Sequence, residues 1–258
     1  MFKTVKALIL RGVVYKEADR ILTVLTDEGK MTVKAQSALR KSSKISAATR
    51  DLCYSELTLF SKSDKWIVKE AVAIEPFEKL RTDMFRLSLG SYFAECLDVI
   101  AQEGQRAEGS LRLGLNSLYA LDRELYPDNL IKAAFELRLL CEEGFSPRLD
   151  NCAVCGKEPE IPILFGPRSG RVCCKKCRNE SFFDGLEITP EVLNHMRHIC
   201  RASDKGFIPK SADDMSTERL SFITEQYILA QTEHSFGTLS YYRRLVSFTN
   251  KALNARQG

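Results

Sequence analysis

The sequence predicts an α+β protein with a small amino-terminal β-barrel and an α-helical remainder that carries a cysteine-rich insertion. Three observations indicate this. Segments rich in β-branched and apolar residues, separated by polar turns, fill the first 75 residues, apolar residues recur at three and four beyond Pro76, and two Cys-x2-Cys pairs lie within 152–177. Five strands with a long basic connection after the third are typical of an OB-type barrel; a β-meander or an SH3-like barrel is the alternative.

The five strands are predicted at 4–10, 21–26, 31–35, 57–60 and 66–74. The segments 27–30 and 61–64 have the composition of hairpin turns. In the last strand, alternation predicts one mainly buried face, formed by Trp66, Val68, Val72 and Ile74. The predicted barrel domain therefore covers residues 1–78.

The helical pattern begins after Pro76, which disfavours helix in the residue before it. Helices are predicted at about 85–103, 109–125, 128–144, from 189 onward, 216–231 and 238–253, with Asp128, Thr189 and Ser216 at amino-terminal ends and Gly144 after a carboxyl-terminal end. The predicted second domain is residues 79–258, with the cysteine-rich insertion at about 148–182.

The two cysteine pairs have the spacing of a four-thiolate zinc site, with ligands Cys152, Cys155, Cys174 and Cys177. Each pair directs two sulfurs at one ion, and two pairs complete the tetrahedron that Zn²⁺ prefers. Four protein ligands leave no open position for a substrate, so one structural Zn²⁺ is predicted. The alternatives are two cysteine-rich surface turns or a redox pair, and Cys173 competes with Cys174 as third ligand.

Cysteine usage and hydropathy bear on the compartment. Nine cysteines are an odd number, and those outside the two pairs (Cys53, Cys96, Cys141, Cys173 and Cys200) follow no regular pattern, which favours a reducing compartment. The first residues lack a signal-peptide pattern, and no apolar run reaches membrane-spanning length. A cytoplasmic protein without membrane association is expected.

The positive charge is concentrated in segments, although the net charge is only +4. Six basic residues and no acidic one lie between Lys30 and Arg50, a second basic segment covers 165–178, and a third follows residue 234. Such segments predict a polyanionic partner, or else solvated charged faces. The predicted contacts for this polyanion, which the family resemblance given below identifies as DNA, are Lys30, Lys34, Arg40, Lys41, Lys44, Arg168, Arg171, Lys175 and Lys176. Tyr15, Tyr54, Phe60 and Trp66 are candidate base-stacking residues, although aromatic residues on strands more often pack inward.

Catalytic motifs are not evident in the sequence. His195 and His198 lie three apart without the glutamate of a zinc-protease motif, and the sequence has neither a Walker A segment nor a Gly-x-Ser-x-Gly elbow. A non-enzymatic protein is predicted. Two other classes remain open: a zinc-ribbon or OB-type RNA- or DNA-binding regulator without annealing activity, and a thiol redox enzyme.

The segment VVYKEADRILTVLTDEG at 13–29 resembles the amino-terminal signature of the RecO family of bacterial recombination mediators and DNA-repair proteins. The order of barrel, helices and four-cysteine insertion is also similar to that family. One departure lies after the third strand, where family members usually carry a Lys-Gly-x-Arg-like segment. This chain has QSAL at 36–39, and its positive charge follows on Arg40, Lys41 and Lys44.

The resemblance implies binding of single- and double-stranded DNA and annealing of complementary strands. It further implies that the protein acts with RecR, and often RecF, to load RecA onto DNA coated by single-strand DNA-binding protein, in the bacterial cytoplasm and at the nucleoid. The helical domain is expected to bind the acidic, apolar carboxyl-terminal tail of that coating protein. Possible basic contacts for the tail are Arg112, Arg123, Lys132 and Arg138.

Overall fold

The structure is a computed structural model that describes residues 1–62, 65–182, 184–203, 206–210 and 213–254, with side chains omitted at 181 and 250–254. Ser63 and Asp64 of the second predicted turn, and the end of the third basic segment, lie outside the described residues. The chain forms two compact units: residues 1–123 with 236–258, and residues 124–235. Packing alone does not show which segment folds by itself, so the domain boundary at 78 stays a prediction.

The first unit contains a closed five-stranded barrel. Its strands are β1 (Phe2–Tyr15), β2 (Asp19–Thr26), β3 (Gly29–Ala35), β4 (Tyr54–Lys62) and β5 (Lys65–Glu75), in the order β1-β2-β3-β5-β4. Strands β3 and β5 pair in parallel, with Val33 opposite Trp66, and β1 closes the barrel against β4. A meander pairs only successive strands, so this closure confirms the OB-like barrel.

The predicted burial pattern of β5 is wrong in its second half. Leu59 pairs with Val68 and Thr58 with Glu70, so Lys69 is an extra residue on β5. This β-bulge reverses the alternation of the residues that follow it. Val68 therefore faces the core, whereas Val72 and Ile74 are 64% and 46% exposed.

The described residues beyond the barrel form six α-helices: α1 (Met84–Ile100), α2 (Glu108–Asp122), α3 (Asp128–Glu142), α4 (Pro190–Arg201), α5 (Asp214–Thr232) and α6 (Gly237–Asn254). Thr189 caps α4 as predicted, because its hydroxyl accepts from the Val192 N–H. The cap of α5 is Asp213, whose carboxylate accepts from the N–H of Ser216, so the predicted cap Ser216 lies inside the helix. Asp128 is the first residue of α3, so the position of the cap falls to Pro127. We find no helix in the described residues with the length and apolar character needed to cross a bilayer.

Within the first unit, α1 and the loop that follows it contact both α6 and the barrel. The Glu95 carboxylate accepts from the backbone N–H groups of Gly237 and Thr238, at 3.1 and 2.9 Å, and so binds the start of α6 to α1. The β2–β3 turn lies against the α1–α2 loop, where a Cβ on Gly29 would be 2.4 Å from the Gln105 carbonyl oxygen. Gly29 also has a φ of +124°, so both space and backbone conformation require glycine there.

The second unit holds α3, α4 and α5 with a three-stranded antiparallel sheet of β6 (Ile163–Gly166), β7 (Arg171–Cys174) and β8 (Leu186–Ile188), in the order β7-β6-β8. Between α3 and α5, the Lys132 ammonium lies 2.9 Å from carboxylate oxygens of both Glu136 and Glu225. Lys132 is 2% exposed. The prediction that Lys132 binds an acidic partner tail is therefore wrong, because its charge is buried and already paired.

Candidate metal centre and nucleic-acid interface

The structure brings the four predicted cysteine ligands together in the second unit. Cys174 ends β7, and Cys177 follows at the end of a short 3₁₀ turn. Cys152 and Cys155 lie in a tight turn in which the Gly156 N–H donates to the Cys152 carbonyl at 3.0 Å. The four sulfurs are all within 4.8 Å of one another. In a tetrahedral Zn–S₄ site they would be about 3.8 Å apart, given Zn–S bonds of about 2.3 Å, so small shifts suffice to enclose an ion.

Backbone N–H groups are directed at these sulfurs. The Cys174 N–H donates to Cys152 Sγ at 3.4 Å, and the Glu160 N–H donates to Cys174 Sγ at 3.2 Å. Although burial raises the pKa of the Cys152 thiol, hydrogen bonds from the backbone of Cys155, Cys174 and Val154 lower it to about 6. The backbone is therefore arranged to stabilise a thiolate at Cys152.

The fourth thiol shows why a cation fits this cluster. Burial, followed by the neighbouring Cys155 thiol, raises the pKa of Cys177 to about 12. Adjacent thiolates repel one another, so all four can ionise only when a positive charge lies among them. The donor set, four sulfurs without carboxylate or imidazole, is the one preferred by structural zinc sites. The residues present fit a metal ion.

Cys173 lies beside the cluster but is directed elsewhere. It is buried, and its thiol lies 3.2 Å from the Cys174 carbonyl oxygen, to which it donates. Burial raises the pKa of Cys173 to about 12. Cys173 therefore resembles a packing residue, which favours Cys174 as the third ligand.

Tyr227 of α5 supports the hairpin that leads to Cys174. Its ring packs edge-on against Phe165 of β6, and its hydroxyl donates to the Phe145 carbonyl at 2.7 Å. Gly170, at the tip of the β6–β7 hairpin, has a φ of +62°, and a Cβ there would be 2.8 Å from the Tyr227 hydroxyl oxygen. The cysteine cluster thus rests on a hairpin that packs directly on a helix.

The basic residues predicted in the barrel divide into two groups. Lys30 and Lys34 lie on β3 and form ion pairs, Lys30 with Asp98 at 3.2 Å and Lys34 with Asp19 at 2.9 Å. The other three lie in the connection between β3 and β4 and are exposed, with no carboxylate partner in the part of the chain that the structure describes: Arg40, Lys41 and Lys44. We name these three the basic loop.

The basic loop is held at both ends by residues that the sequence analysis did not assign a role. The Asp19 carboxylate accepts from the Ser37 N–H at 2.8 Å. The Arg20 guanidinium donates to the Thr49 carbonyl and to Asp51, both at 2.6 Å. Both residues lie in the segment that carries the family resemblance, so part of that signature serves to position the loop.

A cavity of about 580 Å³ opens on the barrel beside β3 and β5. Tyr15 and Trp66 line it together with three lysines, namely Lys34, Lys62 and Lys65. The Lys34 ammonium lies 5.1 Å from the Tyr15 ring centroid. Of the four candidate stacking residues, Phe60 instead packs on Phe2, with ring centroids 5.0 Å apart, and Tyr54 lines a different cavity. The sequence analysis did not select Lys62 and Lys65, because they lie in separate strands on either side of a turn and belong to no continuous basic segment.

The basic residues near the cysteine cluster are exposed but mostly paired. Lys175 binds Glu187 at 3.0 Å, Lys176 binds Glu160, and Arg168 lies 3.9 Å from Asp184. Exposed pairs of this kind are weak, so they do not prevent a phosphate from binding. Arg171 is exposed beside Arg148, with which it forms an isolated β-bridge.

Together these features define a class of protein: an OB-type barrel with a basic, aromatic-lined face, accompanied by a helical unit with a cluster of four cysteines that could hold a metal ion. Family comparison agrees. The family profile described as "Recombination protein O N terminal" matches residues 1–77, and that described as "Recombination protein O C terminal" matches residues 81–240. The chain belongs to the RecO family.

Similar proteins named "DNA repair protein RecO" come from several bacteria. The one from Heliobacterium modesticaldum is 33% identical over 241 residues, covering 91% of this chain and 87% of the relative. The one from Symbiobacterium thermophilum is 30% identical over 251 residues, covering 94% and 97%. The one from Desulforudis audaxviator is 37% identical over 175 residues, covering 67% and 70%.

Proposed function

We propose that this protein is a non-enzymatic DNA-repair mediator that binds single- and double-stranded DNA and anneals complementary strands. With RecR, and with RecF where that protein takes part, it helps to load RecA onto DNA coated by single-strand DNA-binding protein. Membership of the RecO family supports this role. We propose the bacterial cytoplasm, at the nucleoid, as its location.

One observation carries the DNA-binding part of the proposal: the barrel combines an exposed basic loop with a cavity that presents Tyr15 and Trp66 among lysines. Binding of single strands without sequence preference needs a charged path for the phosphates and aromatic rings for the bases. The loop supplies free positive charge, whereas Lys30 and Lys34 must exchange carboxylate partners for phosphates. We therefore assign the main electrostatic contribution to Arg40, Lys41 and Lys44.

Annealing follows from the same chemistry. Two complementary strands repel each other through their phosphates, and a protein that neutralises phosphates on both lowers this barrier without ATP. Contacts to the backbone leave the base edges free to pair. The basic residues of the second unit (Arg168, Arg171, Lys175 and Lys176) form a second phosphate-binding surface in this proposal.

The cysteine cluster holds one structural Zn²⁺ in this proposal, with ligands Cys152, Cys155, Cys174 and Cys177. Four protein ligands exclude substrate, so the ion stabilises the module that presents the second basic surface. The acidic tail of single-strand DNA-binding protein remains a proposed partner of the helical region, through Arg112, Arg123 or Arg138.

Replacing the basic loop with alanine (R40A/K41A/K44A) should weaken DNA binding about equally for all sequences. Binding of single strands changes with log salt by about 0.7 per phosphate contacted, so losing three contacts should reduce the slope by about 2. Anisotropy titrations of a labelled oligonucleotide at several salt concentrations measure this slope. The variant should stay folded, because all three side chains are exposed.

The matched control is K79A/R106A/R112A, which removes the same charge from exposed positions on the helical side of the same unit. It should keep the wild-type slope. If the two triple variants change the slope equally, net charge alone governs binding and the basic loop is not the site.

Trp66 is the only tryptophan of the chain and therefore reports on the barrel cavity. Its fluorescence should decrease when single-stranded DNA binds, because a base stacks near it. Base–aromatic stacking contributes about 1–3 kcal/mol per base, so Tyr15→Ala should weaken binding by roughly 1 kcal/mol or more. Tyr119→Ala is the control, since Tyr119 of α2 is 46% exposed and Tyr15 is 44% exposed. Unchanged fluorescence at saturating DNA would remove the cavity from the binding site.

Strand annealing separates the proposal from its alternative, an RNA- or DNA-binding regulator. The protein should accelerate pairing of complementary oligonucleotides without ATP, measured by loss of donor fluorescence between labelled strands. Tight DNA binding without acceleration would favour the regulator.

A further inference from the structure

Two cysteines outside the metal centre lie in contact in the second unit. Cys141 is the penultimate residue of α3, and Cys200 is the penultimate residue of α4. Their sulfurs are 3.4 Å apart, although the residues are 59 positions apart in the chain. A disulfide bond is about 2.05 Å long, so the two sulfurs need to approach by only about 1.4 Å.

Arg138 holds these helix ends together. It lies one turn before Cys141, and its guanidinium donates to the Ala202 carbonyl at 2.7 Å, just beyond the end of α4. The same Nη1 also lies 3.4 Å from the Cys200 carbonyl oxygen. Glu142 fixes the other side of the guanidinium at 2.7 Å. The hydrogen bonds of Arg138 to the end of α4 therefore keep the two thiols close together.

The two thiols have different chemical roles. The contact between the two sulfurs lowers the pKa of the Cys141 thiol and raises the pKa of Cys200. The Ser146 hydroxyl, which donates to Cys141 Sγ, lowers the pKa of Cys141 further. The positive charge of Arg138 also favours the Cys141 thiolate. Both thiols are partly exposed, whereas Cys53 and Cys96 are fully buried. A thiolate that solvent can reach is the form of cysteine that reacts with peroxides.

We propose that Cys141 and Cys200 form a reversible disulfide when the protein meets a hydroperoxide. The Cys141 thiolate attacks a peroxide oxygen, the O–O bond breaks, and with hydrogen peroxide the leaving hydroxide takes up a proton as water. This gives a sulfenic acid on Cys141. The Cys200 sulfur then attacks Cys141 Sγ, the S–O bond breaks, and hydroxide leaves with the Cys200 proton as a second water. Two thiols lose two electrons and two protons, and one peroxide becomes two waters. A dithiol reductant reverses the reaction by exchange.

The disulfide would close a covalent loop that contains the whole cysteine cluster, because residues 152–177 lie between 141 and 200. Such a bond restricts the unfolded chain. The oxidised protein should therefore unfold at a higher denaturant concentration than the reduced protein. Cys141 thus gives the protein a modification site that is separate from the metal ligands.

Peptide mapping of the full-length protein tests the proposal without any variant. The protein is treated with hydrogen peroxide at about equimolar concentration, alkylated, digested without reductant and analysed by mass spectrometry. The expected main disulfide joins the peptides of Cys141 and Cys200, and dithiothreitol should remove it. The proposal is wrong if these two cysteines are recovered alkylated while cysteines of the cluster are oxidised.

Variants test the order of the steps. In Cys200→Ser the sulfenic acid should persist and react with dimedone at Cys141, whereas Cys141→Ser should leave Cys200 unlabelled. Cys96→Ser is the control and should form the disulfide as the wild type does. Metal content and circular dichroism should match the wild type in all three. Equal dimedone labelling of Cys141 and Cys200 in the two single variants would overturn the assignment of Cys141 as the attacking thiol.

Discussion

Changing Cys155 or Cys177 to serine is expected to give insoluble protein, or protein whose cysteine module is unfolded, with loss of about one bound zinc per chain. Zinc binding and folding are coupled, and apparent binding free energies of structural zinc sites in peptides are about 10–16 kcal/mol. The core around the cluster offers little else, because its buried members are Cys152, Cys173, Cys174 and Phe182. Elemental analysis, solubility and circular dichroism measure the outcome. Freshly purified, soluble wild-type protein without zinc would refute this prediction.

The neighbouring cysteines provide a matched pair for the third ligand. Cys174→Ser should behave as Cys155→Ser does, because Cys174 lies in the sulfur cluster. Cys173→Ser should retain zinc and be only moderately destabilised, since it changes a buried packing residue. If Cys173→Ser loses zinc and Cys174→Ser retains it, the third ligand is wrong by one position.

Lys132→Ala should have the second largest effect, a loss of about 3–5 kcal/mol in the free energy of unfolding. The substitution leaves the carboxylates of Glu136 and Glu225 near each other without a cation, and Glu136 is fully buried. Removing one partner of a buried ion pair has a cost of this size because the remaining charge is uncompensated. Urea unfolding followed by circular dichroism measures it.

The loss in the free energy of unfolding caused by Lys132→Ala should depend on pH. Burial raises the pKa of Glu136, so the folded protein binds this proton more tightly than the unfolded chain does. The stability contributed by this group is fully present below the unfolded pKa and is lost as pH rises from there through the folded pKa. Without Lys132 the pKa should rise further, so the deficit should be smaller at about pH 5 than at about pH 7. A deficit that is independent of pH would show that Glu136 is not the group left uncompensated.

Arg112→Ala is the control for burial. Arg112 and Glu108 have the same i,i+4 spacing along a helix as Lys132 and Glu136, with the order of the charges reversed. Their side chains are 46% and 63% exposed. Exposed helix pairs contribute about 0.3–0.5 kcal/mol. If the two substitutions destabilise the protein equally, burial does not explain the effect at Lys132.

Local patterns made most of the fold predictable. Alternation and turns indicated all five barrel strands, and the spacing of the Cys-x2-Cys pairs indicated the cluster, because both depend on residues close together in the chain. The bulge at Lys69 was not predictable, since an extra residue is visible only against the partner strand. The cap at Asp213 was missed for a simpler reason: Ser216 is also a common capping residue.

Contacts between distant segments could not be read from the sequence. Lysine is usually found at the surface. Lys132 can be buried because Glu225 of α5 pairs with its charge, and that contact is not visible in the sequence. The same holds for Cys141 and Cys200, and for Lys34 and Trp66, which come together only when β3 and β5 pair. The basic loop was found because its charges lie within five residues of the chain, whereas Asp19 and Arg20, which hold its ends, act through tertiary hydrogen bonds.

The proposed mediator function is tested most directly by RecA-dependent ATP hydrolysis on single-stranded DNA that is already coated by single-strand DNA-binding protein. The wild-type protein and RecR together should shorten the lag before hydrolysis, and neither should do so alone. R40A/K41A/K44A should fail at moderate salt, whereas K79A/R106A, which leaves the proposed tail contact Arg112 in place, should act as the wild type does. A wild-type protein that binds and anneals DNA but leaves the lag unchanged across a range of RecR concentrations would contradict the proposed function.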